Sequence, residues 1–275
     1  MKNGTNIWNN LLSAAMKLPG SKVDRKAFLI EYLSDYCEND AQMIQIINGS
    51  PLDVLSVKQL DKIADQLIKN RRFTVSSLSA LAGLPGGFAM VASVPADTAQ
   101  YLFHCIVISQ QLAYLYGFPE LKRIKGNNRD MLLQSITVFV GVMFGVSKAN
   151  EALSTLIRVI ADTTAKKILE KPLTQTAWYP IMQAVAKALG YKLSNKGLSN
   201  IAKKGIPLLG AAISGGITYY TFNKGADLLR QKLIENIDEL RMGIVDEEDY
   251  NNESAVKADG ERLVEELKDE NFEEM

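Results

Sequence analysis

Two stretches of this chain carry almost no charge, and glycine and proline break both of them. Between Thr74 and Phe118 the only formally charged residue is Asp97, and between Gly205 and Asn223 there is none. Segments this apolar must be withdrawn from water, into protein or into lipid. Pro85 and Pro95 cut the first stretch into pieces. The piece from Pro95 to about Tyr116 approaches a hydrocarbon thickness of ~30 Å at ~1.5 Å per helical residue. Gln100, His104, Ser109, Gln110 and Gln111 interrupt it, so it reads as a helix buried in protein and not as a lipid-facing span.

Helix signals recur along the chain and strand signals do not. Thr5 is placed to cap a first amphipathic helix carrying Ile7, Trp8, Leu11, Leu12 and Ala15 on one face. Ser21 with Asp24 marks a helix start before KVDRKAFLIEYLSDYC. Ser50-Pro51-Leu52-Asp53 offers a cap, a proline at the first helical position and an acid in the first turn. Ser56 with Gln59 forms a capping box, and Leu60, Ile63, Leu67 and Ile68 follow at helical spacing. A helix is predicted from Met131 to about Lys148, then an amphipathic one from about Ala149 to Lys171, stopped by Pro172. Another carries Trp178, Ile181, Met182, Val185 and Leu189, with Gly190 as its stop.

Small residues fall at four-residue intervals in the apolar segments. Gly141, Gly145 and Ala149 form one such row. Gly210 and Ser214, Ala211 and Gly215, and Ala212 and Gly216 form others. That spacing lets two helix backbones approach closely. Gly83, Gly86 and Gly87 of GLPGG are read the same way, as a helix break with close backbone approach. The segment lacks the spacing, the preceding strand and the Lys-Ser/Thr of a phosphate loop.

Net charge is zero, but its distribution is uneven. From Glu235 to Met275 there are 16 acidic and 4 basic residues, a net of −12. The segment 161–210 holds eight lysines, Lys166, Lys167, Lys171, Lys187, Lys192, Lys196, Lys203 and Lys204, against Asp162 and Glu170. This can be a solvated face. It can also be a surface that reads anionic lipid, helped by Trp178, Tyr179 and Tyr191, whose rings suit a membrane interface. Nothing here resembles a nucleic-acid interface, and no cofactor or metal is called for. Cys37 and Cys105 cannot build a disulfide framework and read as reduced packing residues. The N-terminus has no long apolar core of a signal peptide, so the expected location is the cytoplasm.

Two residues could carry chemistry in a buried pocket. Asp97 sits two residues after Pro95, where a carboxylate is favoured by the helix dipole. It can equally be a lone buried acid in need of a partner. His104 is the only histidine. It reads as a core residue making interhelical hydrogen bonds or as a functional group. Cys105 beside it diverges by ~100° around the helix, which argues against a Cys/His nucleophile pair. No catalytic residue is assigned.

The segment AGLPGGFAMVASVPADTAQYLFHCIVISQQLAYLYGF (82–118) resembles the EcsC-like protein family of bacteria. Its carrying pieces are Gly83-Leu84-Pro85-Gly86-Gly87, Pro95-Ala96-Asp97 and Gln111-Leu112-Ala113-Tyr114-Leu115-Tyr116-Gly117. IPLLGAAISGGITYYTFNKGADLL (206–229) is similar to the segment that closes that family. The likeness covers roughly Lys22 to Leu233. It implies a cytoplasmic, membrane-associated helical protein and brings no activity and no site residues with it.

The expectation is therefore an all-α, multi-helix single domain with central apolar helices interrupted by Gly and Pro. An N-terminal amphipathic helix occupies 1–20, the helical domain 21–242 and a flexible acidic tail 243–275. The function expected first is non-enzymatic: peripheral association with an anionic membrane or a membrane-protein partner, on the inner face of the cell membrane. The alternatives are a lipid- or apolar-molecule-binding protein or enzyme with a pocket near Asp97 and His104, and a membrane-inserting, pore-type effector.

Overall fold

A computed structural model describes residues 3–77, 96–121, 128–163, 178–192 and 215–242. Within them the chain is helical, and no strand occurs among the described residues. The helices are α1 (Asn3–Ala15), α2 (Arg25–Leu33), α3 (Asp40–Asn48), α4 (Val57–Ser77), α5 (Ala96–Leu115) and α6 (Asn128–Met143). They continue with α7 (Ala149–Thr163), α8 (Trp178–Lys192), α9 (Gly215–Glu235) and α10 (Ile237–Met242).

Several starts follow from local chemistry. Asp24 caps α2 by accepting from the Ala27 N–H, while Ser21 instead closes the end of α1 by donating to the Met16 carbonyl. Asn39 caps α3. Ser50 and Asp53 form a reciprocal capping box, but on a short 3₁₀ turn (Pro51–Asp53) and not an α-helix. Ser56 and Gln59 exchange hydrogen bonds ahead of α4. Thr5 caps nothing, because α1 already runs from Asn3 and places Thr5 inside its first turn.

The core is organised around α5. From His104 to Phe118 every residue is buried, because α1, α2, α4, α6 and α9 all pack on this helix. No periodic apolar stripe is needed where every face is covered, which is why the segment reads as apolar all round. The amphipathic α1 is part of this core. Trp8 is fully buried, and its Nε1–H donates to Thr137 Oγ1 on α6 at 3.0 Å.

Glycines serve two different ends here. Gly117 (φ +98) and Gly145 (φ +60) take left-handed conformations after α5 and α6. In each case the next residue bonds back five positions, Phe118 to Ala113 and Val146 to Gly141, giving the Schellman closure. The expectation that Gly145 lets two helices meet is thereby corrected. The helix ends at Met143, and a Cβ at Gly145 would meet nothing within 4 Å. Gly190 is corrected in the opposite sense. It lies inside α8 and stops nothing, and a Cβ there would fall 1.6 Å from the carbonyl oxygen of Gly4. The backbones of α1 and α8 touch at that point, so only hydrogen fits. At Gly141 a Cβ would come within 2.5 Å of Val185 Cγ1 on α8, and at Gly225 within 2.9 Å of the Met143 carbonyl.

Candidate functional site

Two clusters of polar groups along α5 bear on function. The first joins α4, the end of α5 and α9. Tyr116 Oη–H donates to Asp61 Oδ1 at 3.3 Å, and Arg230 Nε faces the same oxygen at 3.5 Å, an ion-pair contact and not a hydrogen bond. Arg230 Nη2 reaches Asp227 Oδ1 at 3.3 Å, and Asn223 Nδ2 donates to Asp227 Oδ2 at 2.8 Å. Burial raises the Asp227 carboxyl, Arg230 pulls it back down, and the nearby Asp65 and Asp61 add to the rise. Burial and Asp61 likewise raise the Tyr116 phenol. Here each charge has an opposite within reach.

The second cluster lies further back along α5. His104 is 1% exposed, and among the described residues neither Nδ1 nor Nε2 has a hydrogen-bond partner. Withdrawing a polar atom from water without replacing its bond costs about 1–3 kcal/mol. Burial first, then the positive charge of Arg71, pushes the imidazole down to about 4. It is therefore neutral near pH 7, with one N–H donor and one free lone pair. Arg71, near the end of α4, is half-buried and donates from Nη2 to Gln111 Oε1 at 3.2 Å. Gln111 is itself buried on α5. Burial lowers the Arg71 pKa, and the charges of the Tyr32 and Glu31 groups of α2 counter that. No carboxylate pairs with Arg71 among the described residues.

His104 is thus buried in the central helix as its sequence context indicates. Asp97 falls in the first turn of α5, two helical turns before His104, with its side chain outside the described residues. Of the lysine-rich face, Lys187 is exposed on α8. Trp178, Tyr179 and Lys192 belong to α8 by their backbone alone, while Lys166, Lys167, Lys171, Lys196, Lys203 and Lys204 lie outside the described residues. Gly215 and Gly216 open α9, whereas Gly83, Gly86, Gly87, Gly210 and the acidic segment 243–275 also lie outside. Arg71 and Gln111 escaped the sequence reading. Gln111 stands two turns from His104 on the same helix, which is a usable signal, but Arg71 reaches them only through the packing of α4 on α5.

No described helix is long and apolar enough to cross a membrane. Comparison with known protein families, with curated proteins and with solved structures finds no match to this chain.

Proposed function

We propose that this is a non-enzymatic cytoplasmic protein that associates peripherally with an anionic membrane surface, or with a membrane-protein partner. The observation that carries the reading is the charge layout. Eight lysines face two acids over 161–210, against a net of −12 over 235–275. A basic segment of that density gains about 1 kcal/mol per well-placed lysine at an anionic leaflet. The resemblance of 82–118 and 206–229 to the EcsC-like family supports the same placement. Small-residue rows in the apolar segments would serve close helix packing within the domain. The test is sedimentation with vesicles of phosphatidylglycerol and phosphatidylcholine at low and high salt. Binding that is strong at low salt and fades by about tenfold or more at high salt is expected. Absence of binding at low salt would remove the membrane reading.

A second reading is favoured by one specific observation, the buried imidazole of His104, which has no hydrogen-bond partner among the described residues. On that reading the chain binds a lipid or another partly apolar small molecule near His104. Co-purifying lipid, detected by mass spectrometry after extraction, is its direct test.

A further inference from the structure

We propose that Arg71, Gln111 and His104 form a binding site for an oxyanion, the head of an amphiphile or a free anion, with Arg71 supplying the charge and His104 a hydrogen bond. The inference rests on the second reading above and names the chemistry that the site would take.

Three observations converge on an anion. Both ring nitrogens of a 1% exposed imidazole lack a partner among the described residues. The charge of Arg71 acts on that ring, and its half-buried guanidinium makes a single hydrogen bond among the described residues, to Gln111 two turns further along α5. Among the described residues no acid pairs with that guanidinium, although Arg230 of α9 has two aspartates in contact. A guanidinium has five N–H donors in a planar fork suited to carboxylate and phosphate oxygens. Its field excludes a cation from the position beside His104. A neutral ligand would offer the free donors of the guanidinium no charged acceptor. An oxyanion accepts from Arg71 and from the imidazole N–H together.

The charges around the imidazole give the site a pH signature. Of the groups on the helices packed about α5, only Arg71 of α4 acts on His104 among the described residues, and it disfavours protonation. Glu31 and Tyr32 of α2 act on Arg71. An anion seated beside the ring reverses the local field and favours imidazolium. His104 protonates at about 4 when the site is free, and must protonate at higher pH when an anion is bound. Between those two values binding takes up a proton, so affinity strengthens as pH falls, by up to about tenfold per pH unit.

Because His104 is the only histidine, its imidazole signals in an NMR spectrum of the full chain are assigned without ambiguity. The probes are 1-octanesulfonate, whose charge does not change with pH, its neutral counterpart 1-octanol, and inorganic phosphate. Octanesulfonate is expected to shift the His104 signals and raise its pKa by one unit or more, with 1-octanol doing neither. A phosphate response as strong as that of octanesulfonate identifies a free-anion site, and a response to octanesulfonate alone identifies an amphiphile head. R71M should weaken octanesulfonate binding at least tenfold, while R71K should recover part of it. Equal binding of octanol and octanesulfonate with unmoved His104 signals overturns the anion site and leaves the apolar-binding reading standing. No binding of any probe overturns both. The wild-type titration decides the matter even if a variant fails to fold.

Discussion

Two arginines are pressed against the same central helix and are used in opposite ways. Arg25, on α2, is 6% exposed and saturated: Nε donates to the Phe118 carbonyl at 2.9 Å, Nη1 to Ile47 at 2.7 Å and Nη2 to Gly49 at 2.7 Å. It binds the end of α3 to the turn that follows α5, filling carbonyls that a helix terminus leaves open. Arg71, on α4, is half-buried and makes one bond among the described residues, to the Gln111 side chain. A desolvated guanidinium whose donors are spent on backbone is a structural clasp. One whose donors are largely unspent, beside an unpartnered imidazole, holds capacity for something else.

The comparison breaks most visibly at Arg25. Replacing it by leucine leaves at least three carbonyls at the α3 and α5 ends without their donor, each worth about 1–3 kcal/mol when buried. Arg25→Leu should lower unfolding free energy by about 4 kcal/mol or more. Urea denaturation followed by circular dichroism reads this directly. A loss below about 1 kcal/mol would mean that Arg25 is no clasp.

The next effect is on pH. In the unfolded chain His104 protonates near its ordinary 6.5, and in the folded chain burial and Arg71 hold it at about 4. Between these values the unfolded state binds more protons, so stability is intact above about 6.5 and is lost as pH falls toward 4. At about 1.4 kcal/mol per pH unit the ceiling is about 3 kcal/mol. Carboxylates also titrate in this window, so the contribution is the difference in slope between wild type and His104→Phe. Identical slopes would place the imidazole in contact with water.

Which of these features could be read from the amino acids divides along a physical line. Caps are local, so Asp24, Ser56 and Gln59 announce their helix starts within three residues. The stripe of Leu60, Ile63, Leu67 and Ile68 is local as well, and all four are buried in α4. Glycine is harder, because it is selected both for positive φ and for the lack of a Cβ. Gly145 and Gly190 show the two uses exchanged relative to their sequence reading, and nothing within five residues separates them. His104 is legible as a polar group in an apolar helix. Its neighbourhood is not, because Arg71 and Gln111 are 40 residues apart and meet only through helix packing.

Replacing His104 sharpens the comparison by a smaller amount and in the opposite direction from Arg25. Leucine at position 104 removes two nitrogens that have no partner among the described residues and keeps an apolar body of similar bulk. His104→Leu should raise stability at pH 7 by about 1 kcal/mol. A thermal melt showing loss of comparable size would reveal that the ring is serving the fold, as Arg25 does.

The smallest expected effect belongs to Arg71, and it separates the two arginines most cleanly. Methionine there keeps the length of the stem and its packing along α4 while removing the charge. One hydrogen bond to Gln111 is lost, worth about 1 kcal/mol, and the cost of holding an unpaired guanidinium half out of water is relieved. The two terms oppose each other, so Arg71→Met should change unfolding free energy by no more than about 0.5 kcal/mol. The same substitution takes away the positive charge that depresses His104, so the imidazole pKa should rise toward its ordinary value while staying below it through burial. Near-neutral stability together with a displaced His104 titration is the signature of a charge held for a ligand. A loss matching that of Arg25→Leu would make Arg71 a second clasp and dissolve the distinction.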